Sequence, residues 1–593
     1  MKTTRIALIL LSVLFTNKLI AQEVIEEIVV TSSFIEQNLS QIHNPIHVIG
    51  SDELASMASQ SLGESLDDLL GVGSADYGSA VGQPIIRGLG GTRVKVMRNG
   101  RVNRDVSGMG ADHPVEIDFN NVQQVEVVRG PSSLFYANGT SGGIINVVDN
   151  TIAKKDFTES DLTVGYEVQS VNNGNVGELS YENNFGGLNF SFGYRDTDFE
   201  NYEIPHGAII HEEHEEHEEH EEEEGHHEEE EHHEENPKFL PNSDAGTESY
   251  KFGVSKTGDW GYFGVSALGS ESLHGIPFHG EEHEEEEGHE EHEEERIFAN
   301  TDSDSFNLEG SYNLRNNWLL DRVDYYGSVS DYTLSEQHAE EEGHHEEEEE
   351  EEEGHHDHEE GPTEFKNDAS EFGAIINFAS DNFSQRMMVN AIQEDVSIIG
   401  HEAFMKPSDS REFSFGYYLS RDTALFDWHF GLRHDRISRK GAVAHHEEEE
   451  EEEGHHEHEE EHEEEVDKFK KEFNTDSLAL TLNRDLNDYF ELSLDLASFE
   501  RAPSAIELYM NGPHLATGRY EEGDTELKIE RSRNIDLTLA YQQNAFFGSM
   551  TIFQNNIDNF IYLADTNKTE KKMPLAQYMQ KDAQLSGVEL MFG

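Results

Sequence analysis

From about residue 160 the chain is built of segments of roughly 10–14 residues in which apolar and polar side chains alternate, the period and length of a tilted membrane-spanning strand. LNFSFGYRD (188–196), ESYKFGVSK (248–256), GYFGVSALG (261–269), SFNLEGSYNL (305–314), VDYYGSVSDY (323–332) and SLALTLNRD (477–485) all follow it. Period two puts Phe, Tyr, Val and Leu on one face and Ser, Gly, Asn and charges on the other. A soluble sandwich alternates in the same way, but a stretch this long would need several separate cores. One transmembrane antiparallel β-barrel accounts for the whole stretch, and about sixteen strands are counted by residue 593.

The connections alternate too. NFGGL (184–188), TGDWG (257–261), LRNNW (314–318), SDNF (380–383), RDLNDY (484–489) and QQNAF (542–546) are short. Those at about 197–246, 271–301, 333–363, 439–473 and 501–526 are long. Membrane barrels have short turns on the periplasmic side and long loops outside, so the long connections are expected on the outer surface.

Four of them hold acidic, histidine-rich runs: 211–235, 281–295, 340–360 and 445–465. These runs contain 55 of the 124 acidic residues and no Lys or Arg, and so carry most of the net charge of −83. Twenty-four of the 33 His lie in or beside them. Repulsion alone needs only Glu, so the His enrichment favours metal capture over a plain solvated bristle. The candidate ligands are His211, His214, His217, His220, His226, His227, His283, His289, His344, His345, His355, His356, His445, His446, His455 and His456. HEEHEEHEEH would stack His at i, i+3 on a helix, yet its Glu repel and no face is apolar, so a fixed fold is not expected without metal.

The N-terminus, MKTTRIALILLSVLFTNKLIAQ, reads as a secretory signal over 1–21 with cleavage after Ala21; its apolar run is too short for a membrane anchor. Cysteine is absent, so any metal is held by His and carboxylates rather than thiolate. No phosphate-binding loop or nucleophile elbow occurs, and no basic patch favours nucleic acid. Residues 40–152 read as a compact α+β domain. The helical spacing of Leu54, Met57, Leu62, Leu66 and Leu69 predicts a helix within 51–71, with short strands at 83–89, 93–100, 122–130 and 143–148.

Two stretches of that domain carry a resemblance. QPIIRGLGGTRVKVMRNG (83–100) and VEVVRGPSSLFYANGTSGGIINVV (125–148) resemble the plug signature of TonB-dependent outer-membrane receptors. EEIVVTSS (26–33) looks like a TonB box within a 22–39 linker, centred on Glu27, Ile28, Val29, Val30 and Thr31. RAPSAIELY (501–509) and LKIERSRNIDLTL (527–539) resemble the family's barrel motifs. The resemblance implies a plug inside a 22-stranded barrel over 153–593, incomplete at the C-terminus of this chain. It also implies TonB and its inner-membrane energising complex as partners, lipid of the outer membrane as surroundings, and transport rather than catalysis.

Within the family, GMGADHPVEID (108–118), HEAFMKPSDSREF (401–413) and GPHLATGRYEEGD (512–524) look most like the zinc receptors. That likeness implies one plug–barrel metal site of Asp112, His113, Glu402 and His514, with His401 replacing or supplementing Glu402. Zinc enters there as transported ligand, collected first by the outer loops. The alternative for Asp112 and His113 is a turn cap and a packed turn residue before Pro114. Import of haem or another metal complex, and surface metal buffering without transport, remain the competing functions.

Overall fold

The computed structural model describes residues 29–30, 37–38, 46–57, 60–129, 133–208, 238–277, 296–314, 319–339, 361–378, 383–400, 403–445, 465–543 and 546–593. The signal segment, Glu27, Ile28 and Thr31, His401 and Glu402, and the acidic runs lie outside them, except that one strand ends at His445 and another begins at Glu465. Val29 and Val30 pair with Asn38 and Gln37.

The barrel wall is one eighteen-stranded sheet in chain order, from Asp161–Val168 to Met573–Phe592. Two of its strands, Asn511–His514 and Arg519–Glu522, are short. That leaves the sixteen wall strands counted from the alternation. Among the described residues the first and last wall strands do not pair with each other.

Burial is inverted as a lipid-facing wall requires. Phe306 is 52% exposed beside Asn307 at 6%, and Phe372 is 55% exposed beside Glu371 at 4%. Apolar rings face outward and polar side chains face the lumen.

Several strands are longer than the alternation predicts. Arg296–Asn313, Leu320–Ala339, Glu465–Asn487 and Phe546–Glu570 span 18, 20, 23 and 25 residues. Beyond the lipid both faces are polar, so hydrophobic alternation fades while backbone pairing continues. Parts of the connections expected as loops are therefore strand.

The plug is a five-stranded sheet in the order Ile46–Gly50, Val122–Val128, Gly143–Asp149, Val94–Arg98, Arg101–Val102. Its core includes Ile49, Leu62, Leu66, Ile86, Val125, Val127, Ile145 and Val147. The helix expected within 51–71 covers only Ser51–Met57, followed by a 3-10 turn at Glu64–Leu66. Gly63 precedes that turn: its N–H donates to Gly82 O at 3.0 Å, and a Cβ there would overlap Ser74 and the Gly82 backbone.

Ion pairs lock plug to wall. Arg87 meets Asp536 at 2.6 Å and Glu589 at 2.8 Å, Arg93 meets Glu530 at 2.6 Å, and Arg101 meets Glu309 at 2.9 Å. Close backbone approach adds to this. The hydroxyls of Ser191 and Ser255 donate to Thr151 O and Ala153 O at 2.5 and 2.6 Å. A Cβ on Gly253 would overlap the Thr151 carbonyl, and one on Gly264 would overlap Ile152 and Ser255.

The connection at 501–526, expected as an outer loop, folds into the lumen instead from residue 502 on. The wall strands on either side, Phe490–Arg501 and Glu530–Gln543, pair directly and exclude the segment from the sheet line. It opens with the helix Ala505–Tyr509, capped reciprocally by Ser504 and Glu507. The hairpin of Asn511–His514 and Arg519–Glu522 follows. Ile506, Leu508, Tyr509 and Met510 pack with Val106 and Met109 of the plug in one apolar cluster.

Replacing Gly253 with Val should prevent the plug from seating while leaving the wall able to form. Limited proteolysis of the folded barrel should then cleave the plug at least tenfold faster than in wild type.

Candidate metal site

The plug loop that carries Asp112 and His113 is tied down from below by one side chain. Gln83, on the strand Gly82–Ile86, donates through Nε2 to the carbonyls of Ser107, Gly110 and His113 at 2.9, 2.7 and 2.9 Å. Asp105 fixes the loop's start by accepting from the Ser107 N–H and hydroxyl at 3.0 and 2.6 Å. Gly110 leaves room for the site, since a Cβ there would overlap Asp112 Oδ1 and the His514 ring.

Three residues expected at one site do come together. Asp112 and His113 are 1% exposed and His514 is 2% exposed, and a donor atom from each lies within 4.8 Å of the others. His113 Nε2 is 3.3 Å from Asp112 Oδ2, and His514 Nε2 is 3.4 Å from Asp112 Oδ1. Neither Asp112 oxygen has an aligned hydrogen bond. Burying an unsatisfied carboxylate is expensive, so a cationic occupant is the natural complement.

A further carboxylate, Glu336, which the sequence reading missed, stands beside this group. Its Oε1 lies 3.1 Å from His113 Nε2. It sits near the outer end of the strand Leu320–Ala339, in a stretch read as loop. Tyr332 and Leu334, at the same alternation, are buried; extending that strand by four residues would have placed Glu336 inward. Nothing described places Glu402 or His401, which lie outside the described residues.

Supporting groups orient the imidazoles. His113 Nδ1 is 3.2 Å from Val106 O, so an N–H there leaves Nε2 aimed at Asp112 and Glu336. His514 Nδ1 faces Glu521 Oε1 at 3.4 Å, and the Thr517 hydroxyl lies 2.9 Å from that oxygen. His274 stands within electrostatic reach of Asp112 and His113, with a buried, unpartnered Nε2. The rings of Phe365 and Phe404 close over the site, with centroids 4.7 Å from His113 and 4.8 Å from His514 respectively.

Burial works against charge on each of the three central groups, and the neighbours outweigh it. Desolvation would raise Asp112, but His113 and His514 hold it well below the usual carboxylate range. Burial would lower His113, but Asp112 and Glu336 raise it above its ordinary value. His514 is pushed up to about 10 by Asp112 and Glu521, again against burial. Positive charge on these imidazoles is therefore favoured where a cation would sit.

The donor set is two imidazole nitrogens and two carboxylates with no thiolate. The individual N···O separations are 3.1–3.4 Å, and the edge of a zinc tetrahedron with bonds of about 2.0–2.1 Å is about 3.4 Å. The arrangement suits a small divalent cation of the zinc, copper or nickel type.

A plug seated in a β-barrel and sharing a buried polar site with the wall defines an outer-membrane receptor. The comparisons supply the family. Residues 38–144 match the TonB-dependent Receptor Plug Domain, and residues 242–592 match the TonB dependent receptor-like beta-barrel. The chain belongs to the TonB-dependent receptor family.

It is 27% identical over 139 residues to the vitamin B12 transporter BtuB of Photobacterium profundum, covering 23% of this chain and 22% of that protein. It is 27% identical over 128 residues to the hemoglobin and hemoglobin-haptoglobin-binding protein B of Haemophilus influenzae, covering 20% and 12%. These matches span less than a third of either relative. Among solved structures, the Serratia marcescens hemophore receptor HasR aligns with a TM-score of 0.68 at 13% identity, covering 93% of this chain and 79% of that one. The copper transporter OprC aligns with a TM-score of 0.65 at 14% identity, covering 92% and 77%.

Metal binding should release at least one proton per ion near neutral pH, from His514, because the ligands must be deprotonated to coordinate. Calorimetry in buffers of different ionisation heat would count the protons released. Since both His pKa values are raised, affinity should climb as pH rises from 6 to 8. Replacing Gln83 with Leu should free the loop and weaken metal binding about 10–100-fold, measured by competition with a zinc chelator, with the barrel still folded.

Proposed function

We propose that this receptor imports zinc as a free ion across the outer membrane in a TonB-dependent cycle, without catalysing bond chemistry. The observation that supports this most is the enclosed group of Asp112, His113 and His514, split between plug and barrel, with Glu336 3.1 Å from His113 Nε2. The donor atoms of Asp112, His113 and His514 lie within 4.8 Å of one another, and aromatic rings pack against both imidazoles, which suits a bare ion better than a macrocycle such as haem.

The outer His- and Glu-rich runs raise the local cation concentration by negative potential and transient ligation. The ion then displaces at least one proton from the central site. TonB engages the segment around Val29 and Val30 by strand addition and draws on the plug. Asp112 and His113 move with the plug, whereas Glu336 and His514 belong to the barrel. Dividing the ligand set lowers affinity and frees the ion inward. Intrinsic affinity would favour copper over zinc, so selection of zinc rests on this geometry and on supply.

Radiozinc uptake in zinc-limited cells tests the reading. Replacing Asp112 and His113 together with Ala, or Glu336 with Gln, should cut uptake at least tenfold with normal receptor in the membrane. Undiminished uptake in the double variant would overturn the site. Deleting residues 26–32 separates transport from surface buffering: transport must stop, whereas bound zinc retained alongside normal uptake would defeat the TonB-driven cycle.

A further inference from the structure

A cavity of about 210 Å³ lies against the back of the metal-bearing loop. Ser107, Gly108 and Met109 form its near side, and Asn367, Glu394 and Glu412 of the barrel wall form its far side. The strand register orders these wall groups by depth. Glu336 pairs with Thr363, four residues before Asn367 on the same strand. Ala369 pairs with Glu394, and Ile392 pairs with both Glu371 and Glu412. Oxygen donors thus step down the wall from the metal site, and Asn367 is about 13 Å along the strand at ~3.3 Å per residue.

Asn367 is 3% exposed, and its Oδ1 has no hydrogen-bond partner. The amide orientation is fixed, because Nδ2 donates to Asp105 O at 2.9 Å and to Glu394 Oε1 at 3.2 Å. An unsatisfied buried acceptor beside a carboxylate calls for a cation or a donor.

In the resting molecule the plug supplies that cation. Arg104 reaches Glu371 and Glu394 only loosely, at 3.6 and 3.5 Å, and its Nε is unpartnered. Lys95 lines the cavity without an ion pair inside 4 Å among the described residues, although it feels Glu412 and Glu394. Burial pushes its ammonium down to about 8, so it remains mostly charged at neutral pH. Glu412 is also held by Arg439 of the wall at 3.2 Å and by Asn138 of the plug at 2.7 Å.

We propose that Asn367, Glu394 and Glu412 form a second, oxygen-only divalent-cation site on the barrel wall, masked at rest by the plug's Lys95 and Arg104. It rests on the import reading, and gives the ion its next station. Any displacement that carries Asp112 and His113 off the first site also carries Lys95 and Arg104 off the wall. Release above and unmasking below become one movement. Carboxylate and amide oxygens bind a zinc-type ion more weakly than imidazole does, so the ion does not lodge there.

Crystals of the full chain soaked in Zn²⁺ alone, with anomalous maps at the zinc edge, test this. Wild type should show no ion in the cavity. The K95M/R104M variant should gain a peak beside Asn367, Glu394 and Glu412, and should keep it when D112A/H113A is added. No cavity peak in K95M/R104M would overturn the second site, whatever happens at the first. Should that variant fail to fold, E394Q/E412Q decides: zinc uptake should fall about tenfold with the ion at Asp112 undisturbed, and unchanged uptake would overturn the proposal.

Discussion

The seating of the plug inside the barrel is the interaction on which the rest depends. Arginines of the plug meet carboxylates of the wall at Asp536, Glu589, Glu530 and Glu309, nearly all shielded from solvent. Removing one partner of such a pair strands a buried charge and typically costs about 3–5 kcal/mol. Close contacts at Gly253 and Gly264 set the depth at which the plug stops. The candidate site has no existence apart from that register, since Asp112 and His113 come from the plug and His514 from the barrel.

On the proposed reading, that division would let the centre hold an ion and then release it. A site built wholly on the wall would need its own geometry deformed to let an ion go. Here the stiff parts stay stiff. Gln83 clamps the plug loop through three carbonyls, and Glu521 steadies His514 from within the hairpin. Rigid halves that separate lose coordination number abruptly rather than gradually. The cations that mask the lower wall ride on the same body as the upper ligands, so a single motion would serve both steps.

Much of this was legible in the sequence where physics leaves a periodic trace. Lipid on one side and water on the other force period-two alternation, and the wall strands followed from it. Asp112, His113 and His514 were found through motif resemblance, and the structure brings them together. Glu336 was hidden because its strand continues past the lipid, where polar groups occupy both faces and alternation carries no signal. The inward fold of 502–529 left no local trace either: it depends on Phe490–Arg501 pairing directly with Glu530–Gln543. The helix expected within 51–71 is confined to Ser51–Met57, and Gly63 beyond it packs tightly against Gly82 despite a good apolar pattern.

The inward hairpin carries one more consequence, for the order of events in making the protein. His113 and Glu336 are 223 residues apart, and His514 lies farther still along the chain. Such distant groups meet only after the wall is assembled and the plug enclosed. A nascent or unfolded chain in transit through the periplasm therefore cannot grip an ion with this centre. The site is complete only once plug and wall are assembled together in the membrane.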